Sequence, residues 1–179
     1  NRWRIKLIMN KFCVKVAALC LSAAMFTSAF AVPSLWNAGT VADVVSAATE
    51  EEPVELLKNT DFESGTKKWA TYTVSGGSAK ISAEDGKLAL KVATVGKLNY
   101  GVQLYYDILP MYQNGVYRFR FDISSDIDRK VEAMVQQNGG KYQSYVWKGL
   151  ELTSEPQTLD ITFTMEAETD QFARRVFNC

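Results

Sequence analysis

The sequence predicts an all-β fold, an antiparallel β-sandwich of jelly-roll type preceded by a signal peptide. On both sides of a turn at 113–115, residues 100–123 alternate apolar and polar side chains, which is the pattern of half-buried strands. Turn signals recur at short, even intervals through the rest of the chain, and no helix-period run exceeds two turns. Many short strands without intervening helices are typical of an antiparallel sandwich.

The N-terminal third has the pattern of a secretory signal peptide. Basic residues precede an apolar run from Val14 to Phe30, and small-residue cleavage candidates follow at 29–31 and 45–47. This order of basic, apolar and small residues indicates that residues 1–48 are removed on export and lie outside the fold. A membrane anchor is the alternative, which the short run and the lack of stop-transfer charges disfavour. Export predicts a secreted, extracellular protein.

The composition excludes several classes of function. The formal net charge is zero and the chain contains no histidine. Zero charge gives no electrostatic reason to expect nucleic acid, or a membrane after signal cleavage, as a partner. Without histidine, neither a Ser-His-Asp triad nor a histidine zinc site can be built. Cys13 and Cys20 lie in the predicted signal, so Cys179 is left without an internal disulfide partner.

The remaining chain is predicted to form one domain. Residues 49–54 are an acidic linker ending near a proline, and residues 55–179 have the usual length for a single hydrophobic core. The last predicted strand ends without a closing turn, and a sandwich that lacks its final strand would expose a long edge. We therefore expect a domain that is incomplete at its C-terminus and belongs to a longer protein.

The individual strands follow from alternation and from the turn residues between them. Glycine-containing turns separate them, and Asn138-Gly139-Gly140 is a strong hairpin signal. The alternation directs Leu88, Leu90 and Val92 inward, and also Val102, Leu104, Tyr106, Ile108, Tyr117, Phe119, Phe121 and Ile123. Trp69 follows a turn and is predicted to close one end of the core. The predicted strands are 69–74, 79–82, 87–94, 100–108, 116–124, 130–137, 143–150, 157–165 and 172–178.

Five segments in order resemble the carbohydrate-binding modules of families 4 and 9. They are Leu57–Gly65 followed by Trp69, Tyr100–Leu104 with Asn114–Tyr117, Val135–Gly139, Leu152–Gln157, and Arg175–Asn178. The resemblance covers the whole mature chain except the family's last strand, which usually carries an acidic pair. It implies a β-sandwich whose concave face holds single glycan chains: β-1,4-, mixed-linkage or β-1,3-glucan, or xylan. Such modules usually flank a glycoside hydrolase domain.

The resemblance also implies which residues bind the glycan. Aromatic faces stack on pyranose rings, while amides and charged groups hydrogen-bond the hydroxyls. Residues at or near the family's stacking positions are Tyr72, Tyr100 and Tyr142. Residues at its hydroxyl-binding positions are Gln103, Asn138 and Asn178.

Several of these assignments have alternatives. Some family members carry an arginine near the position of Glu132, and Arg129 or Arg174 are candidates to replace it here. Asn138 has a second interpretation as a turn residue that tolerates a positive φ. For the remaining aromatic residues, sequence alone does not choose between core and cleft; these are Tyr105, Tyr145 and Trp147.

A structural calcium ion is also implied by the resemblance. The positions that match the family's calcium ligands are Asp61, Glu63, Glu84 and Lys87, of which Lys87 would contribute its backbone carbonyl. Calcium takes six to eight oxygen ligands. The alternative is that these acids are solvated surface residues beside a turn.

Catalysis by the domain itself is disfavoured. A glycosidase needs two carboxylates that face each other across the scissile bond, and no pair here lies in a motif such as Glu-x-Asp-x-x-Glu. The candidate carboxylates are Asp107, Asp122, Glu132, Glu151, Glu155, Asp160 and Glu166. We therefore predict a non-catalytic binding module that targets a parent glycoside hydrolase, as a monomer or as part of a multidomain chain. The alternatives are an adhesion or lectin-like module without an enzyme, and a jelly-roll glycosidase.

Overall fold

The computed structural model describes the backbone of residues 3–15 and the full chain of residues 53–179. These residues form strands, turns and loops, with no α-helix among them. Within the same ranges, no helix is long and apolar enough to cross a membrane. The strands are β1 (Trp3–Lys15), β2 (Val54–Glu55), β3 (Trp69–Thr73), β4 (Gly77–Glu84), β5 (Lys87–Val95), β6 (Val102–Met111), β7 (Val116–Ser125), β8 (Arg129–Gln136), β9 (Ser144–Leu152), β10 (Gln157–Thr164) and β11 (Asp170–Asn178).

The strands form two antiparallel sheets that face each other across one core. Sheet A has the order β10-β7-β1-β5-β4, and β2 pairs with β1 beside this path. Sheet B has the order β3-β6-β11-β8-β9. The all-β sandwich that the alternation predicts is therefore confirmed, and nine predicted strands agree with β3 to β11 to within a few residues.

Alternation determines which side chains enter the core. On β7, Tyr117, Phe119 and Phe121 are fully buried, while the intervening Arg118 is exposed. Burying apolar surface contributes about 25 cal/mol per Å², so these rings supply much of the stabilisation. The predicted core rings are confirmed as buried residues of the same cluster: Trp69, Tyr106 and Tyr117.

The prediction that Ile108 points inward is wrong. Its side chain is 63% exposed, and its φ is 63°, which is unusual for a β-branched residue. The pairing of β6 with β11 shifts between Ala173 and Arg175, which is the mark of a β-bulge. Beyond the bulge, Leu109 and Met111 take the inward positions and are fully buried.

The backbone of β1 lies inside sheet A, which the sequence did not predict. It pairs antiparallel with β5 on one side and with β7 on the other. A strand in this position satisfies the backbone donors and acceptors of both neighbours, which would otherwise form two open edges. The candidate cleavage positions at 29–31 and 45–47 lie outside the described residues, so the signal peptide stays a prediction.

An arginine lies in the core among aromatic rings. The side chain of Arg175 is completely buried, and its guanidinium carbon lies 4.4–4.8 Å from the ring centroids of Phe119, Phe121 and Phe177. Such contacts stabilise a cation through the ring quadrupoles. Burial lowers the pKa of Arg175 well below its usual value, and the Glu55 carboxylate opposes that shift.

Two hairpins show how local sequence sets the turns. Between β4 and β5, Asp85 and Gly86 both have positive φ, 51° and 69°, as a type I′ turn requires. The loop between β8 and β9 has positive φ at Gly139, Gly140 and Tyr142. The predicted hairpin is present, but Asn138 is not a positive-φ residue.

Candidate functional site

The outward face of sheet B carries a cleft of about 460 Å³, within the range of small-molecule sites. Side chains from β3, β6, β8 and β11 and from two loops surround it. Its lining residues are Tyr72, Tyr100, Gln103, Gln136, Tyr142, Arg174 and Asn178. The three tyrosines are between 44% and 52% exposed, whereas the three amides are buried, so rings form the rim and amides form the floor.

Tyr72 and Tyr100 lie at one end of the cleft. Tyr72 belongs to the edge strand β3 and is directly opposite Gln103 on β6. Tyr100 precedes Gly101, where a Cβ atom would stand 2.3 Å from the carbonyl oxygen of Val95. Only glycine allows this close backbone approach, which fixes the entry into β6 and so the position of Tyr100.

Tyr142 lies at the other end, on the loop between β8 and β9. The backbone N–H of Gln137 donates to the carbonyl of Gln143, and that of Tyr142 to the carbonyl of Gly139. These bonds hold a compact loop in which Tyr142 adopts a φ of 52°. The ring is thereby placed over Arg174, 5.2 Å from its guanidinium carbon.

The floor contains a chain of three hydrogen-bonded side chains. Gln103 Nε2 donates to Asn178 Oδ1 at 2.8 Å, and Asn178 Nδ2 donates to Glu132 Oε2 at 2.8 Å. An ionised carboxylate can only accept, so Glu132 fixes the orientation of the Asn178 amide, which in turn fixes that of Gln103. The remaining donors and acceptors of the amides therefore have defined directions.

Arg174 stands beside this chain with neutral partners. Oriented with its Oε1 toward the guanidinium, Gln136 accepts from Arg174 Nε at 3.3 Å and from Nη2 at 3.0 Å. The rings of Tyr105 and Tyr142 flank the same group at 5.9 and 5.2 Å. Desolvation raises the pKa of Asp107, and the positive charge of Arg174 opposes that rise. The guanidinium is thus held in a fixed orientation by an amide and two rings.

The structure brings together five of the six residues expected to form the site. Asn138 is exposed in the loop and does not line the cleft. Of the two candidates to replace the family's arginine, Arg174 lines the cleft and Arg129 lies in a neighbouring cavity beside Cys179. Of the six expected residues, Asn138 is therefore the one that the structure leaves outside the cleft lining.

Sequence reasoning overlooked Gln136, and it considered Arg174 only as a substitute. Both could have been predicted from the period-two alternation of their strands, because each shares an outward position with a residue already expected at the site or near it. Arg174 shares its outward position on β11 with Asn178, four residues later, and Gln136 shares that of Glu132 on β8. Of the aromatic residues left open, Tyr105 lies against Arg174, while Tyr145 donates a hydrogen bond to Asp170.

Two of the candidate carboxylates, Asp160 and Asp122, lie on sheet A, away from the cleft. Asp160 lies on the outward face of sheet A, bonded to Arg118 Nε at 2.8 Å, and Asp122 accepts from Thr158 Oγ1 at 2.6 Å. The hydrogen bond from Arg118 lowers the pKa of Asp160. For Asp160, this lowered pKa is the opposite of what a general acid needs. The rings and amides that line the cleft can stack on a ligand and form hydrogen bonds with it.

The expected calcium ligands come from two adjoining segments. Glu84 and Lys87 pair across the β4–β5 hairpin, and a Cβ at Gly86 would lie 3.6 Å from the carbonyl oxygen of Asp61. The Asp61 carboxylate accepts from the Glu63 N–H. Within the described ranges, no group of three acidic, cysteine or histidine side chains is placed to hold a metal. Side-chain oxygens alone thus do not make a calcium site, and backbone carbonyls would have to complete it.

Comparison with known proteins gives a family and a fold. The profile of a family described as "Carbohydrate binding domain", which covers families 4 and 9, matches residues 54–178. No curated protein sequence matches the chain. A solved structure described as "CBM4 structure and function" aligns with a TM-score of 0.63 at 20% identity, over 68% of this chain and 86% of that one. At this identity the likeness concerns the fold.

Two further solved structures align less well. BiXyn10A CBM1 in its apo form gives a TM-score of 0.49 at 13% identity, over 65% of this chain and 87% of its own. The N-terminal cellulose-binding domain of Cellulomonas fimi β-1,4-glucanase C gives 0.42 at 24% identity, over 62% of this chain and 84% of its own. The family profile covers more than half of the chain. Over residues 54–178, this chain belongs to the family of carbohydrate-binding domains that comprises families 4 and 9, a family of non-catalytic binding modules.

Proposed function

We propose that the cleft on sheet B binds single chains of soluble or amorphous β-glucan or xylan. The observation that carries the proposal is the convergence of Tyr72, Tyr100 and Tyr142 around a floor of oriented amides. Pyranose rings present C–H faces that suit aromatic rings, and hydroxyls at their edges that suit amides.

The module's role is to hold a parent glycoside hydrolase close to its polymer. A tethered binding domain raises the effective concentration of substrate at the catalytic domain without new chemistry. Binding through rings and amides depends little on charge, so moderate salt leaves it nearly unchanged. Strong loss of binding in salt would argue against this mode.

Affinity electrophoresis of the full chain tests the proposal directly. The gels contain barley β-glucan, hydroxyethylcellulose, laminarin or xylan, and bovine serum albumin serves as a non-binding control. Retardation by one polymer supports the module and identifies its ligand class. Free migration of folded protein in all four gels, with calcium present, would contradict it and favour a structural or adhesive sandwich.

We also propose that the protein is exported. The basic and apolar N-terminal pattern supports this. Expression of the complete chain in a secreting host, followed by N-terminal sequencing of protein from the medium, tests it. A new N-terminus after residue 31 or 47 would support export, whereas intact protein confined to the cell would oppose it.

Finally, we propose a structural calcium ion where residues 61–63 meet the β4–β5 hairpin. The close approach of the Asp61 carbonyl to Gly86 supports it, and the exposed carboxylates of Glu63 and Glu84 lie on the two segments. A bound ion stabilises the fold that binds it. Thermal unfolding in calcium should occur at a higher temperature than in EDTA, and Asp61→Asn should reduce the difference. Identical curves would rule out the ion.

A further inference from the structure

Trp147 lies on the cleft face of sheet B, outside the cleft itself. It belongs to the edge strand β9 and pairs with Met134 on β8, which in turn pairs with Val176 on β11. The tryptophan is 54% exposed. A single exposed apolar residue is ordinary on a protein surface, so the position of this ring relative to its neighbours has to decide its role.

The side chains that separate Trp147 from the cleft are apolar and buried. Val176 and Met134 are 0% and 5% exposed, although neither belongs to the core between the sheets. Tyr105 is directly opposite Val176 on β6. Tyr105, Val176, Met134 and Trp147 therefore form one row across four strands, with two aromatic rings at its ends and two buried apolar side chains between them.

A second row runs beside the first and leads to the same tryptophan. Tyr72 is opposite Gln103, Gln103 is opposite Asn178, and Asn178 is opposite Glu132. Glu132 is opposite Gly149 on β9. Strands in a sheet are about 4.8 Å apart, so this row spans about 19 Å from Tyr72 to Gly149.

Gly149 gives the indole room at the end of this second row. A Cβ at Gly149 would lie 3.3 Å from Cη2 and 3.6 Å from Cζ2 of Trp147. The far edge of the ring thus extends along β9 to the position opposite Glu132. A larger residue at 149 would push this edge away from the row of hydrogen-bonded side chains.

We propose that Trp147 forms an outer subsite, where its ring stacks on a pyranose unit of a glycan chain that crosses the strands of sheet B. This inference rests on the proposed glycan binding and extends it to chain length. A short oligosaccharide occupies the cleft between the three tyrosines. A longer one continues past Glu132 and reaches the indole on β9.

Calorimetric titration with oligosaccharides of two lengths tests the subsite. The probes are the trisaccharides and hexasaccharides of the cello, laminari and xylo series, and the full chain is compared with Trp147→Ala. Tyr112→Ala serves as the control, since this tyrosine is 47% exposed and lies in the turn between β6 and β7. We expect Trp147→Ala to weaken hexasaccharide binding about tenfold, leave trisaccharide binding unchanged, and be rescued largely by Trp147→Phe.

The other outcomes separate the two proposals. If the unmodified chain binds none of the hexasaccharides, glycan binding fails and the subsite fails with it. If it binds them and Trp147→Ala binds both lengths as tightly, the cleft stands and the outer subsite is wrong. Equal weakening of both lengths also contradicts an outer subsite, because the ring would then belong to the centre or support the fold.

Discussion

The outward faces of the two sheets each carry an arginine, but the two arginines have different partners. On sheet A, Arg118 Nη2 lies 2.5 Å from Asp160 Oδ2, and the two side chains are 50% and 34% exposed. On sheet B, Arg174 is held by the Gln136 amide and by two tyrosine rings. One guanidinium is neutralised by a carboxylate in contact with water, and the other is oriented by neutral groups.

The same period-two strand pattern therefore produces two kinds of surface. Polar residues on sheet A satisfy each other, as Thr158 and Asp122 also do, and the face is well solvated. On sheet B, the amides form a chain that ends on Glu132, and tyrosines stand around it. A hydroxylated ligand gains new partners on sheet B, whereas on sheet A it would compete with existing ion pairs.

Removing β1 should have the largest effect, because it opens sheet A between β5 and β7. Each ladder hydrogen bond contributes about 1 kcal/mol net, so we expect a chain lacking residues 1–48 to lose about 5 kcal/mol of stability or more. Urea unfolding followed by circular dichroism measures the loss.

This prediction also sharpens the export hypothesis. Cleavage at 29–31 or 45–47 would remove β1 from sheet A, so the same segment cannot serve as both a cleaved signal and a strand. A shortened chain as stable as the full one would show that the pairing of β1 with β5 and β7 is dispensable.

Truncating a rim tyrosine should have the next largest effect, and only on binding. Tyr142→Ala removes a stacking ring and the aromatic cover of Arg174. We expect about a tenfold loss of affinity, equivalent to about 1.4 kcal/mol, in titrations with the polymer that retards the chain. Lys91→Ala, on the outward face of sheet A, is the control and should bind normally. Equal losses in both variants would remove the distinction between the faces.

A matched pair of variants, Arg174→Ala and Arg118→Ala, tests the same difference between the two faces, with a smaller expected effect. Arg174→Ala takes a fixed donor from the cleft, and we expect affinity to fall about fivefold, equivalent to about 1 kcal/mol, which is the net contribution of a typical hydrogen bond. Arg118→Ala should leave affinity unchanged and alter stability only slightly. Affinity gels and thermal unfolding of both variants measure the two effects. A larger binding loss from Arg118→Ala would place the ligand on sheet A.

The smallest expected effect is the loss of the Arg118–Asp160 ion pair at low pH. The hydrogen bond from Arg118 lowers the pKa of Asp160 below its usual 3.8, so the pair stabilises the fold above that pH and is lost as the pH falls through the lowered value. An exposed pair contributes about 0.5 kcal/mol. Asp160→Asn should therefore reduce stability slightly at neutral pH, and the difference from the original chain should shrink as the pH falls below 3.8. A difference that grows on acidification would contradict the assigned pairing.

Much of the fold could be predicted because alternation depends on local sequence. Tyr117, Phe119 and Phe121 occupy the inward positions that their spacing indicates. The prediction failed at Ile108, where a bulge between β6 and β11 changes the register. A bulge depends on how two distant strands pair, and neither strand's own pattern contains that information.

In the candidate site, too, some features could be predicted from the sequence and others depend on how distant strands pair. Resemblance and alternation found the three tyrosines, Gln103 and Asn178, which the structure places around one cleft. They did not reveal that Glu132 orients Asn178, because the two lie 46 residues apart in the chain. Nor did they decide whether Trp147 belongs to the core or to the cleft face.

Sequence alone predicts the fold class, most of the inward-facing positions and the lack of histidine chemistry. Each depends on residue type and on spacing along the chain. The three-dimensional structure was needed to show that Arg174 faces the cleft while Arg175 enters the core, and that Asn138 stays apart from the other five residues. These outcomes depend on which strands become neighbours and in what register, and that is determined by packing across the whole sandwich.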